Sequence, residues 1–198
     1  YTYVADQSAA DDLDAGDTAT DSFTYTISDG DATDTATLIF TVTGVNDAAV
    51  AVNDTDAVNE DATVTRSSGA SLLMADDSDA DDDDSFTVTQ IAVTGSSNSA
   101  VSSGSSYNSS GTSVTGTYGT LTIQSTGAYT YVADLAATEA LDAGDVAIDY
   151  FTYTLSDGTA TDTAQLTIKV TGVNDAPSAA NDTGYIAEGS TLTVANGG

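Results

Sequence analysis

The chain repeats itself. YTYVAD at 1–6 returns at 129–134, LDAGD at 13–17 returns at 141–145, and VTGVNDA at 42–48 returns at 170–176. FTYTISDG at 23–30 returns as FTYTLSDG at 151–158, so every copy lies 128 residues downstream of its original. No gap is needed across residues 1–66 against 129–194. A period this long is domain-sized and well beyond the unit of a solenoid, so each unit needs its own core and the units follow one another as beads on a string. The organisation expected is the C-terminal half of one unit at 1–47, a complete unit at 48–175 and the start of the next at 176–198. The sequence therefore reads as a window on a longer chain.

Within a unit the patterning has a period of two. Phe151, Tyr153 and Leu155 alternate with Thr152, Thr154 and Ser156, and Leu166, Ile168 and Val170 alternate with polar residues. Leu121 with Ile123, and Tyr129 with Tyr131, do the same. Alternation rich in Thr, Val and aromatics predicts half-buried strands, and STG (125–127) and SDG (156–158) between them predict hairpin turns. In FTVTQIAV, Phe86 and Val88 are out of phase with Ile91 and Val93, which predicts a bulge. No helical period is sustained, and DLAATEALDAGD (134–145) offers at most one short helical turn. The Ser- and Gly-rich stretch 95–118 predicts a long loop or mobile hairpin. About seven short strands in such a unit predict an all-β fold of tandem antiparallel β-sandwich domains.

Charge narrows the function. Thirty-one acidic residues face two basic ones, Arg66 and Lys169, for a net charge of −29. Such a surface cannot neutralise phosphates and is repelled by anionic membranes, so the expected partners include no nucleic acid. Membrane insertion is not expected either, since the longest apolar run is AAVAV at 48–52. The absence of Cys and His removes the common zinc and copper sites and the Ser/His and Cys/His catalytic arrangements. An acid pair alone could act on a glycoside, but its cleft is usually lined by aromatics including Trp, and the chain has none.

The most acidic stretch, ADDSDADDDDSF at 75–86, holds seven aspartates between 76 and 84 with no basic residue beside them. Packed like charges destabilise a compact state unless they stay solvated or share a cation. Hard oxygens in abundance without soft ligands favour Ca²⁺, which takes six to eight oxygens. The run is no EF-hand: Asp82 stands where that loop needs Gly, and Val88 where it needs Glu. The opposing reading is plain surface chemistry, with DAGD and SDG as turns, the run as a solvated loop, and Asp54 and Asp182 as surface residues.

YGTLTIQSTGAYTYVAD (118–134), FTYTLSDG, TIKVTGVNDAP (167–177) and LLMADDSDADDDDSF (72–86) together resemble the VCBS and cadherin-like repeats of large bacterial surface proteins. The resemblance implies immunoglobulin-like sandwiches in tandem, often in stalks of type I-secreted adhesins, with Ca²⁺ at the junctions. It also implies the ligands. Glu60 resembles the glutamate near a domain start. Asp142 and Asp145, with copies Asp14 and Asp17, resemble the acidic pair before the sixth strand. Asn174 and Asp175, with copies Asn46 and Asp47, resemble the linker. Asp79 and Asp81 resemble the DxD pair, flanked by Asp77 and Asp83, and Asp157 resembles the last acid. One junction would then draw on Asp14, Asp17, Asn46, Asp47, Asp79, Asp81 and Asp157. The next would draw on Glu60, Asp142, Asp145, Asn174 and Asp175.

The function implied is a non-enzymatic, calcium-stiffened spacer at a bacterial cell surface, serving adhesion or biofilm, whose partners are neighbouring repeats of the same polypeptide. Two other readings stay open: a subunit of an extracellular fibre completed by strands from other copies of the chain, and a glycan-binding module.

Overall fold

The computed structural model describes residues 1–67, 73–81 and 85–193. Its chain is almost entirely strand. A short helix α1 (Ser8–Asp11) precedes a hairpin of β1 (Thr18–Ser28) and β2 (Thr33–Thr43). Nine strands follow: β3 (Asp54–Asn59), β4 (Thr63–Arg66), β5 (Thr87–Val93), β6 (Ser99–Ala100), β7 (Thr112–Thr115), β8 (Thr120–Ile123), β9 (Tyr129–Val132), β10 (Val146–Ser156) and β11 (Thr161–Thr171). They make a five-stranded sheet in the order β3-β11-β10-β5-β6 and a four-stranded sheet in the order β4-β9-β8-β7. Among the described residues, no helix is long and apolar enough to cross a membrane.

The period-two runs fold as their pattern demands. In β10, Phe151, Tyr153 and Leu155 turn inward, and in β11 Leu166, Ile168 and Val170 do so, all fully buried. Leu121, Ile123 and Tyr131 from the opposite sheet meet them in one core, with the rings of Tyr131 and Phe151 edge to face at 6.0 Å. Each such side chain stabilises the fold by roughly 1.5–3 kcal/mol relative to exposure. The bulge falls in β5 as expected: Leu155 faces Val88 and Thr154 faces Gln90, leaving Thr89 as the additional residue. Both Val88 and Ile91 thereby reach the core.

Two expectations are modified. The sandwich is not wholly antiparallel, because β3 runs parallel to β11. The whole sandwich separates these two strands in sequence, so no tight turn dictates their direction. The stretch 95–118 is not one loop: it supplies β6 and the edge strand β7, whose Val114 faces Leu121, and Val101 is buried. Residues 134–145 form turns, whereas the equivalent segment of the earlier copy contains α1.

The hairpins β1–β2 and β10–β11 pair in the same register, Thr18 with Thr43 and Val146 with Thr171. Phe151 and Tyr153 are sealed, while their copies Phe23 and Tyr25 are about half exposed (48% and 50%). Phe23 instead packs near Tyr3 and Phe40, which stack at 4.3 Å.

The interior also buries acids. Asp149 is only 3% exposed, yet its carboxylate accepts the backbone N–H groups of Thr117, Tyr118 and Gly119 at 2.8, 3.1 and 3.2 Å and the Tyr131 hydroxyl at 2.7 Å. Asp56 accepts the Arg66 guanidinium and the Tyr129 hydroxyl, tying β3 to β4 and β9 across the two sheets. Burial raises the Asp56 carboxyl, but these donors hold it below the usual carboxylate range. Asp149 and Asp56 are thus both well partnered.

Candidate metal centres at the two poles

The linker after β2 folds against the start of the acid run. Val50 and Ser78 exchange backbone hydrogen bonds at 2.7 and 3.2 Å. This brings the Asn-Asp linker to the aspartates. The Asp47 N–H donates to Asp81 Oδ2 at 2.9 Å, the Asp81 N–H donates to Asp79 Oδ1 at 3.2 Å, and the Asn46 side-chain amide donates to Asp157 Oδ2 at 3.2 Å. Asp157 serves two purposes at once. Its Oδ1 accepts the N–H groups of Thr159 and Ala160 and so builds the SDG turn. Partial desolvation raises its carboxyl, but those two N–H groups and Asn46 hold it below the ordinary range.

The LDAGD loop reaches the same pole through its backbone. Gly44 donates to the Asp17 carbonyl at 2.8 Å and Gly16 to the Gly44 carbonyl at 3.2 Å. The second copy repeats this, Gly172 to Asp145 at 2.9 Å and Gly144 to Gly172 at 3.0 Å. Only glycine permits the contact, since a Cβ on Gly172 would lie 2.4 Å from the Asp142 carbonyl oxygen.

After these bonds are counted, the acids here stay short of donors. Asp14 Oδ1, Asp79 Oδ2 and Asp81 Oδ1 are buried and accept no hydrogen bond from the protein. Asp81, at 7% exposure, is buried like the fully satisfied Asp149, at 3%, so burial alone does not explain the shortfall. A buried carboxylate oxygen without a donor is costly unless a cation meets it. These are hard oxygens of the kind Ca²⁺ takes, but among the described residues the carboxylates of Asp14, Asp79 and Asp81 do not converge within 4.8 Å of one another.

The remaining residues of this group behave differently. The Asp17 side chain is exposed, and only its backbone takes part. Asp77 turns aside from the linker carboxylates: its Oδ1 accepts the Val52 N–H at 2.7 Å, and its Oδ2 is buried without a donor. Burial raises its carboxyl, with Asp76 and Asp162 adding to the effect against Val52. Asp83 lies outside the described residues. Asp54, a surface residue in the opposing reading, is half-buried against the Tyr153 hydroxyl at 2.9 Å, and burial pushes its carboxyl up to about 7.

At the opposite pole, Glu60 is 3% exposed. Its Oε1 accepts the Val173 N–H, and its Oε2 is buried without a donor. Asn174 bonds the Asp175 carbonyl at 2.9 Å, and Asp145 Oδ2 accepts the Asp142 N–H at 3.3 Å. Asp142, Asp145, Asn174 and Asp175 are exposed, whereas Asp14, Asn46 and Asp47 at the equivalent positions are half-buried. Two acids that the sequence did not single out join this pole. Oxygens of Asp61, Glu139 and Asp175 lie within 4.8 Å of one another. Glu139, Asp142 and Asp175 also line an open cleft of about 370 Å³. Asp61 raises the Glu139 carboxyl above its ordinary value, and Asp175 and Glu60 add to this. One signal for Glu139 was available: the chain has only three glutamates, and two of them, Glu60 and Glu139, meet here.

Two packed β-sheets with acidic side chains gathered at both ends define a β-sandwich class of domain. The chain belongs to the bacterial cadherin-like domain family, whose model matches residues 46–172. No curated protein is significantly similar to it. Among solved structures it aligns with the endo-fucoidan hydrolase MfFcnA4 of glycoside hydrolase family 107, at 19% identity and a TM-score of 0.34, and with a variant of that hydrolase at 18% and 0.34. Each alignment covers 83% of this chain, which spans a fifth of the length of those hydrolases (20%).

Proposed function

We propose that this chain is a non-enzymatic, calcium-stiffened spacer, a run of extracellular adhesion-type repeats that holds something at a distance from a bacterial surface. The observation that supports the reading is that Asp79 and Asp81 each keep a buried oxygen without a donor where the linker's Asp47 N–H meets Asp81. Without an ion, carboxylates of adjoining units repel one another and the linker bends. With Ca²⁺, one charge cluster grips both units and sets their angle. An unfolded chain has no such cluster, so ion binding adds directly to folding stability.

The test is a thermal melt in millimolar CaCl₂ against EDTA. Calcium raises the melting temperature of the wild type by several degrees, and Asp79→Asn/Asp81→Asn removes most of that rise. Identical melts in the two buffers would overturn the proposal.

A further inference from the structure

The hairpin β1–β2 leaves bare a face that its copy β10–β11 buries. Phe151, Tyr153 and Leu155 are fully buried, but Phe23, Tyr25 and Ile27 are 48%, 50% and 61% exposed. The outer backbone edge of β2 is open as well: β1 and β2 form a sheet of two strands, whereas β11 has β3 on its far side. We propose that a second copy of the chain covers this hairpin, its segment 182–187 adding to β2 as a parallel strand. The contact needs no calcium.

The repeat names the segment. In the sandwich, β3 lies parallel to β11, with Asp54 opposite Leu166 and Val58 opposite Val170. The copy of β3, 128 residues on, is DTGYIA at 182–187, and the matching part of β2 is 38–43. The same pairing sets Asp182 opposite Leu38 and Ile186 opposite Val42. The β3 of a second copy is already held by its own β11, so it is no donor. Segment 182–187 forms no strand, and its Tyr185 and Ile186 are 92% and 56% exposed.

Shape and polarity agree with this pairing. Val58 is the buried residue of β3, so Ile186, its copy, turns to the same inner face. There Val42, Leu13, Ala19 and Tyr3 line an open cavity of about 390 Å³, which Ile186 fills. The polar partners recur too. Asp54 meets the Tyr153 hydroxyl at 2.9 Å, and Asn53 accepts the Gln165 N–H at 2.8 Å. Their copies are Asp182 with the Tyr25 hydroxyl and Asn181 with the Thr37 N–H. Backbone pairing at an open edge supplies affinity, and alternate side chains supply specificity. Donor segment and acceptor hairpin are different surfaces, so copies associate head to tail.

The experiment is sedimentation of the full chain over a range of concentrations. EDTA keeps calcium from bridging acids, and about 0.5 M NaCl screens the charge of −29 on each copy. The average mass of the wild type rises with concentration to at least double that of one chain. Ile186→Asp removes the donor, Val42→Asp removes the acceptor, and each alone stays monomeric. An equimolar mixture of the two regains a dimer and grows no further, because one intact donor meets one intact acceptor. Ile186 is exposed in the single chain, so Ile186→Asp keeps the circular dichroism of the wild type. A wild type that is monomeric at every concentration overturns the proposal. Association that survives Ile186→Asp, or a mixture that stays monomeric, overturns it too.

Discussion

A single hydroxyl shows how acids govern this fold at the residue scale. The one proton of Tyr153 faces three acceptors, the carbonyl of Val52 at 2.8 Å, Asp54 Oδ2 at 2.9 Å and the carbonyl of Leu73 at 3.3 Å. The arrangement is best satisfied when Asp54 itself carries a proton and donates to Tyr153, in keeping with burial and the neighbouring Asp76 and Asp77 raising that carboxyl to about 7. The folded chain then holds a proton that the unfolded chain releases near the ordinary aspartate value of 3.8. Stability from this group is present below about pH 4 and is lost as pH rises toward 7. Solvent screening of the half-exposed carboxyl reduces the effect to about 1–2 kcal/mol. In EDTA, Asp54→Asn should gain that much on wild type between pH 5 and pH 8 in urea melts. A constant difference across the range would show that Asp54 is ionised throughout.

At the scale of elements, the sequence was legible where pattern alone decides. Phe151, Tyr153 and Leu155 had to share a face, and the phase slip between Val88 and Ile91 had to be absorbed by one additional residue. Chain-distant proximity was not legible. Nothing local says that Glu139 meets Asp61, because a turn and a strand corner from opposite ends of the unit create that contact. Asp149 left a readable mark, an acid in phase with Phe151 and Tyr153, but its donors come from the loop before β8. The run at 95–118 misled because Ser and Thr dilute the alternation of β7, which as an edge strand buries little. The LDAGD loop gives the sharpest element-scale prediction. Its docking on the end of β11 depends on the close approach at Gly172. Gly172→Ala forces the loop and strand apart and costs roughly 1–3 kcal/mol, measured by urea denaturation. An unchanged urea midpoint would mean that the loop does not need this contact.

For the whole molecule, charge is the organising quantity. With 31 acids and two basic residues, the chain cannot offset its repulsion internally, and a single guanidinium, that of Arg66, is already engaged with Asp56. The donorless buried carboxylates lie at the ends of the sandwich, so the proposed ion would act on shape more than on the interior. Small-angle scattering of the full chain should therefore show a longer, narrower particle in calcium than in EDTA, while circular dichroism of the strands changes little. Equal maximum dimensions in the two buffers would count against stiffening.

The shared register of the β1–β2 and β10–β11 hairpins has an evolutionary consequence. A copy 128 residues on that keeps every cross-strand partner keeps its means of building a sheet, so such stretches can be added or removed whole without rewriting a neighbour's pairing. Length is then free to drift while the pairing of each copy stays fixed.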